Sequence, residues 1–133
     1  MQTLQQQRAR FALDEVNSAV DEVKSAVDEA NMTERAGYTA KEFKSQAESF
    51  PAMIRMNGLG PAAAFYLAKG GAHKKLYDLL SDWLGQPQQA YAGQTLMDGI
   101  TQGDSQQYRL AQAEALLLLD WVKRFAKAFV QED

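Results

Sequence analysis

Along the first thirty residues apolar side chains return at steps of four and three, at Ala12, Val16, Ala19, Val23, Ala26 and Ala30, with Val20 and Val27 widening the stripe. That is the period of a helix with one buried face, and no stretch of the chain offers instead a sustained alternation of period two bounded by hairpin turns. Composition agrees: 21 Ala and 14 Gln stand against 13 residues of Val, Ile and Thr combined, a balance that favours helix over strand. A chain of 133 residues is long enough for one core to bury roughly two thirds of its unfolded surface, whereas two cores would each be marginal. The expected fold is all-α, a compact single-domain bundle of about five to seven helices spanning residues 1–133.

The first helix is expected from about Leu4 to Ala30, with Asp14, Asp21, Asp28 and Glu15, Glu22, Glu29 as a seven-residue ladder on a solvated side. Thr39 and Glu42 have capping-box spacing, so a second helix starts at Ala40. In it Phe43, Ala47, Phe50 and Ile54 share one side, and Lys41, Lys44 and Arg55 lie opposite, with Glu48 among them. Pro51 must kink this helix or begin a new one, and in the second case Arg55 leaves the row. Asn57-Gly58-Leu59-Gly60-Pro61 reads as a helix stop and restart, opening a short apolar helix through Ala68. Residues 69–75 turn into a helix ending near Leu84 and Gly85, with Leu76, Leu79, Leu80, Trp83 and Leu84 as its buried stripe. A further helix is expected over about Gln89 to Ile100. The last, capped by Asp104 or Ser105 and running to about Phe129, is expected to centre the core on Tyr108, Leu117, Leu118, Trp121, Val122, Phe125 and Phe129.

The inventory for catalysis is thin. Without cysteine there is no disulfide, thiolate metal site or cysteine nucleophile, a composition that suits a reducing compartment. His73 is the single histidine; it stands beside Lys74 and Lys75, which favour its neutral form, and reads as a polar residue in a basic turn or as an anion contact. Asp78 and Asp82 are one helical turn apart without the Glu-x-x-His pattern of metal-binding bundles, and read as a solvated face. Gly58 to Ala63 formally fits a relaxed dinucleotide fingerprint, but no strand feeds it. We expect no catalytic, cofactor-binding or metal-binding residues. The start lacks the apolar run of a signal peptide, and the apolar stretches at 62–68 and 115–119 are too short to span a bilayer. The expected setting is the cytoplasm, away from membranes.

Net charge is −3, from 14 cations and 17 anions, which taken alone argues against nucleic acid. The total hides a division. Residues 1–34 hold three cations and seven anions, residues 35–75 seven and two, and residues 76–133 four and eight. Phosphate backbones are recognised by Lys and Arg and by helix N-termini, and Lys69, Gly70, Gly71, Lys74 and Lys75 bring both together, with glycines that let a phosphate approach the main chain. Lys41, Lys44 and Arg55 extend the track along the neighbouring helix. The bland reading of such a run is ordinary solvated surface. Lys123, Arg124 and Lys127 are discounted, because cations in the final turns complement the helix dipole and Arg124 has Asp120 four residues before it.

Several segments taken in order carry a resemblance to a family. They are Arg8-Ala9-Arg10-Phe11-Ala12-Leu13; Phe50-Pro51-Ala52-Met53-Ile54-Arg55-Met56-Asn57-Gly58-Leu59-Gly60; Ala64-Phe65 and Lys69; and Tyr108-Arg109, Glu114-Ala115-Leu116 and Trp121-Val122-Lys123-Arg124-Phe125-Ala126. The chain resembles the small helical subunit of the Cmr module, the type III-B CRISPR RNA-guided effector complex. The resemblance implies a noncatalytic all-helical subunit, present in more than one copy beside the large polymerase-like subunit. It also implies a role in lining the channel for CRISPR RNA and target RNA, with backbone contact that does not read sequence. The family pattern matches at Arg55 and Lys69; Lys41, Lys44, Lys74 and Lys75 rest on charge alone. These six are the expected RNA-binding residues. The alternative is a purely protein-binding spacer that orders the effector filament without touching RNA.

Overall fold

A computed structural model of the chain describes residues 1–28 and 37–130, with the backbone alone for 26–28. Among these residues it is all-helical, without a strand: α1 (Leu4–Asp28), α2 (Ala40–Asn57), α3 (Leu59–Lys69), α4 (Gly71–Leu84), α5 (Leu96–Gln102) and α6 (Ser105–Phe129). The expected extension of α1 to Ala30, and Ala26, Val27 and Ala30 in its stripe, lie outside what is described.

Local chemistry sets most helix starts. Thr3 and Gln6 cap α1 reciprocally, backbone N–H to side-chain oxygen in both directions, at 2.8 and 3.1 Å. Thr39 and Glu42 do the same for α2, and Asp104 and Gln107 for α6. Gly58 and Gly70, with φ of +88° and +72°, are the single residues between α2 and α3 and between α3 and α4. A side chain at either position would be strained, and glycine lets consecutive helices turn without a loop.

Pro51 does not start a new helix. α2 runs unbroken through it, and Arg55 stays in line with Lys41 and Lys44. The proline forfeits one intrahelical bond, but it is itself buried, as are Phe50 and Ile54, and Phe50 stacks on Tyr66 with centroids 3.8 Å apart. Burial of that cluster, worth about 1.5–3 kcal/mol for each large side chain, outweighs the missing bond.

The expected helix over Gln89 to Ile100 is corrected. Residues 85–95 form a run of turns, with the N–H of Tyr91 donating to Leu84 at 3.1 Å and that of Gly93 to Gly85 at 3.0 Å. Only at Thr95, whose hydroxyl accepts from the N–H of Asp98, does the short α5 begin. The phase of α6 is also corrected. It buries Ala111, Ala115, Leu118, Leu119, Val122 and Ala126, while Leu117 and Phe129 are exposed and Tyr108, Trp121 and Phe125 half-buried.

α1 packs chiefly on α6, which α2 also covers; α3 and α4 pair with one another, and α5 closes against both. Every helix contributes to one contiguous buried cluster. Arg55 meets Asp120, Leu59 meets Gln112 and Gly60 meets Tyr108, so the chain through α2 into α3 runs antiparallel to α6.

Candidate nucleic-acid interface

The six cations expected to contact RNA sit in four different settings. Lys41 is exposed in the first turn of α2 and has no carboxylate within ion-pair distance among the described residues. Lys44, one turn on, is half-buried. Arg55 closes the row in the last turn of α2, where its guanidinium stands 3.8 Å from Asp120 of α6. At the end of α3, the Lys69 ammonium lies over the Phe65 ring, 5.4 Å from its centroid.

Lys74 and Lys75 are more tightly engaged. The Lys74 ammonium donates to Asp78 at 2.9 Å across one turn of α4. The Lys75 ammonium, with only 21 % of its side chain exposed, lies 3.5 Å from Glu22 of α1, and the Tyr38 hydroxyl donates to the same carboxylate at 3.0 Å. Burial, then the hydrogen bond and charge of Glu22, holds the Tyr38 phenol well above its ordinary range. Glu22, Gly37, Tyr38, Gly71, Lys74, Lys75 and Asp78 together line one open hollow in which two cations face two anions. At Gly70 the space a Cβ would fill is empty, whereas at Gly71 the Gly37 carbonyl oxygen stands 2.9 Å from the place of a Cβ, so an anion approaching Gly71 from that side meets another oxygen. Sequence spacing contained the Lys74–Asp78 pair; Glu22 and Asp120 reach their cations only through tertiary packing.

His73 is half-buried in the first turn of α4, with ring centroids 4.6 Å from Tyr66 and 5.9 Å from Phe65. Its pKa is lowered, first by burial and then by Lys69, against an opposing pull from Glu42. The neutral form is favoured as expected, but not through Lys74 and Lys75. Asp120 turns to Arg55, and Arg124 lies instead over Trp121, 5.7 Å from the ring. Gly58 to Ala63 is a helix end and restart, and among the described residues no strand feeds it. Nor do the described residues hold a group of three or more metal-ligating side chains, or a helix long and apolar enough to cross a membrane.

A family model described as CRISPR-associated protein (Cas_Cmr5) matches residues 4–129, nearly the whole chain. The chain belongs to the Cmr5 family. A relative from Thermus thermophilus, the CRISPR system Cmr subunit Cmr5, is 32 % identical over 92 residues, covering 68 % of this chain and 77 % of the relative. The crystal structure of a CRISPR-associated Cmr5 family protein from the same organism superposes with a TM-score of 0.74 at 26 % identity, over 98 % of this chain and all of the other. The segments that carried the resemblance to the Cmr small subunit find partners in this Cmr5 fold. Arg8 forks onto Glu114, its Nη2 donating at 2.9 Å. The Asn57 to Gly60 corner is pinned by α6: the N–H of Leu59 donates to Gln112 at 2.9 Å and that of Gly60 to the Tyr108 hydroxyl at 2.7 Å. Most of the segment from Phe50 to Gly60 is therefore framework; Arg55 is its exposed cation, and Lys69, at the end of α3, is exposed as well.

Proposed function

We propose that this chain is the noncatalytic small subunit of a type III-B CRISPR (Cmr) effector complex, and that it touches the backbone of guide and target RNA through the basic segment between residues 35 and 75. Its partners in this reading are the other Cmr subunits, the large polymerase-like subunit among them, sister copies of itself, CRISPR RNA and target RNA, in the cytoplasm. One observation carries the reading: a member of the Cmr5 family whose overall charge is negative concentrates seven cations against two anions in one segment. Of the six candidates, Lys41 and Lys69 lack a carboxylate partner among the described residues and lead the contact; Lys44 and Arg55 extend it, and Lys74 and Lys75 must first loosen from Asp78 and Glu22. Phosphate contacts release counterions, so binding of RNA by the purified protein is weak, tolerant of sequence and steeply salt-dependent. Affinity that does not change with salt overturns the reading.

The ion pairs of Arg55, Lys74 and Lys75 favour a second reading, a spacer that orders the filament through protein contacts alone. Changing Lys69, Lys74 and Lys75 together to Glu separates the two. Intact assembly with weakened target capture supports RNA contact, and loss of the subunit from the complex supports the spacer.

A further inference from the structure

α3 carries one charge, Lys69, and no carboxylate. Its exposed residues are Pro61, Ala64, Phe65, Ala68 and Lys69, spaced as a single helix face. Phe65 is 42 % exposed and stands outside the buried cluster and the residues packed against it, whereas the adjacent Tyr66 is fully buried on Phe50. The Phe65 ring touches the core at the tilted ring of Tyr66, centroids 6.1 Å apart, which leaves much of the phenyl surface open. Its neighbours on the face are small, and the ring has Lys69 lying over it and His73 at its side.

We infer that Phe65 is a stacking platform for an unpaired base of single-stranded RNA, with Lys69 holding the adjoining phosphate. The inference rests on the RNA-backbone reading above and adds a contact that cations alone do not supply. Every base presents a π-face, so stacking on one exposed ring is tolerant of sequence, and it excludes duplex, whose bases are already stacked. The Lys69 ammonium, on a flexible four-carbon stem, rests over the ring when no anion is present and swings to a phosphate when one arrives. Burial and Lys69 hold His73 toward its neutral form, so it lends the platform an aromatic edge. A protein segment would need an apolar side chain for the ring and a separate acid for Lys69, whereas a single nucleotide brings a π-face and a phosphate together.

The test is fluorescence anisotropy of the purified protein with a short single-stranded RNA of mixed sequence and with the matching duplex, each over a salt series. Phe65→Ala is expected to weaken single-strand binding roughly fivefold or more, to leave duplex affinity and the salt slope unchanged, and to be rescued by Phe65→Trp. If F65A binds the single strand as the unaltered protein does, while Lys41→Glu with Lys69→Glu does not, stacking is overturned and backbone contact stands. Failure of F65W to restore what F65A loses also overturns it, since the loss then reflects packing. If the unaltered protein binds neither RNA in a salt-dependent way, backbone contact falls and stacking with it.

Discussion

Arg8 and Glu114, 106 positions apart in the chain, meet as a forked ion pair between α1 and α6, and the Trp83 indole donates to the same carboxylate at 2.9 Å. Their side chains are only 10 % and 12 % exposed. One carboxylate thereby joins α1, α4 and α6.

Removing either partner strands the other charge away from water. Arg8→Ala or Glu114→Ala is expected to cost about 3 kcal/mol of stability, and the joint replacement Arg8→Met with Glu114→Gln, which keeps an acceptor for the Trp83 indole, to recover most of it. Urea unfolding followed by tryptophan fluorescence measures both, and a cost for R8A no larger than that of an exposed pair refutes the buried-pair account.

Glu15 and Asp82 are both held above the ordinary carboxylate range, chiefly by burial. Asp82 and Asp14 add to the shift at Glu15 and Asp78 to that at Asp82, while Lys75 opposes both. A carboxyl whose pKa is higher folded than unfolded favours the fold below the unfolded value, about 4, and loses that contribution as pH rises through the folded value. Glu15→Gln and Asp82→Asn are therefore expected to raise the unfolding temperature at pH 7, with the advantage shrinking toward pH 4. An advantage that is constant across that window counts against the assignment.

The Tyr91 hydroxyl is buried with no hydrogen-bond partner among the described residues, and the Tyr91 ring lies 2.3 to 2.7 Å from where a Cβ on Gly99 would stand. Two substitutions at this contact should have opposite signs. Tyr91→Phe removes an unsatisfied polar group and is expected to gain about 1 kcal/mol. Gly99→Ala drives a methyl into the ring and is expected to lose about 1–3 kcal/mol. Calorimetry of the two variants decides, and a Y91F protein that is clearly less stable would mean that the hydroxyl has a partner.

Among the basic residues, Lys41→Ala with Lys69→Ala is expected to weaken RNA binding more than Lys74→Ala with Lys75→Ala, because the latter pair already faces Asp78 and Glu22. Each phosphate left without its cation lowers the salt slope by roughly 0.7 for a single strand. Equal slopes for the two double variants would mean that Lys74 and Lys75 leave their carboxylates on binding.

What could be read from the sequence was local. The reciprocal caps at Thr39 and Glu42, the cap at Asp104, and the stripes of α1 and α4 depend on neighbours within a few residues, and the structure bears them out over the described residues. The run from Leu116 to Leu119 was ambiguous in phase, because four consecutive leucines cover the whole circumference of a helix; the alanines at 111, 115 and 126 mark the buried side, and Leu117 faces out. Tyr91 falls within the helix expected over Gln89 to Ile100, yet its main chain is tied back to Leu84 and only its side chain joins the core. At the site, the excess of cations was plain in the sequence. Their neutralisation was hidden, since the pairs formed with Glu22 and Asp120 join residues more than fifty positions apart.

The fully buried apolar side of α1 is Ala12, Val16 and Ala19, with nothing larger than valine. An alanine has no rotamers to freeze, and valine few, so these three positions forfeit almost no side-chain entropy when α1 docks; what is frozen there is Arg8, held on Glu114 at the edge of the stripe. The same economy leaves the seam without slack, because a methyl group has no alternative conformation with which to yield to a bulkier neighbour. The least chemically distinctive residues of the helix are thus the ones with the narrowest choice of replacement.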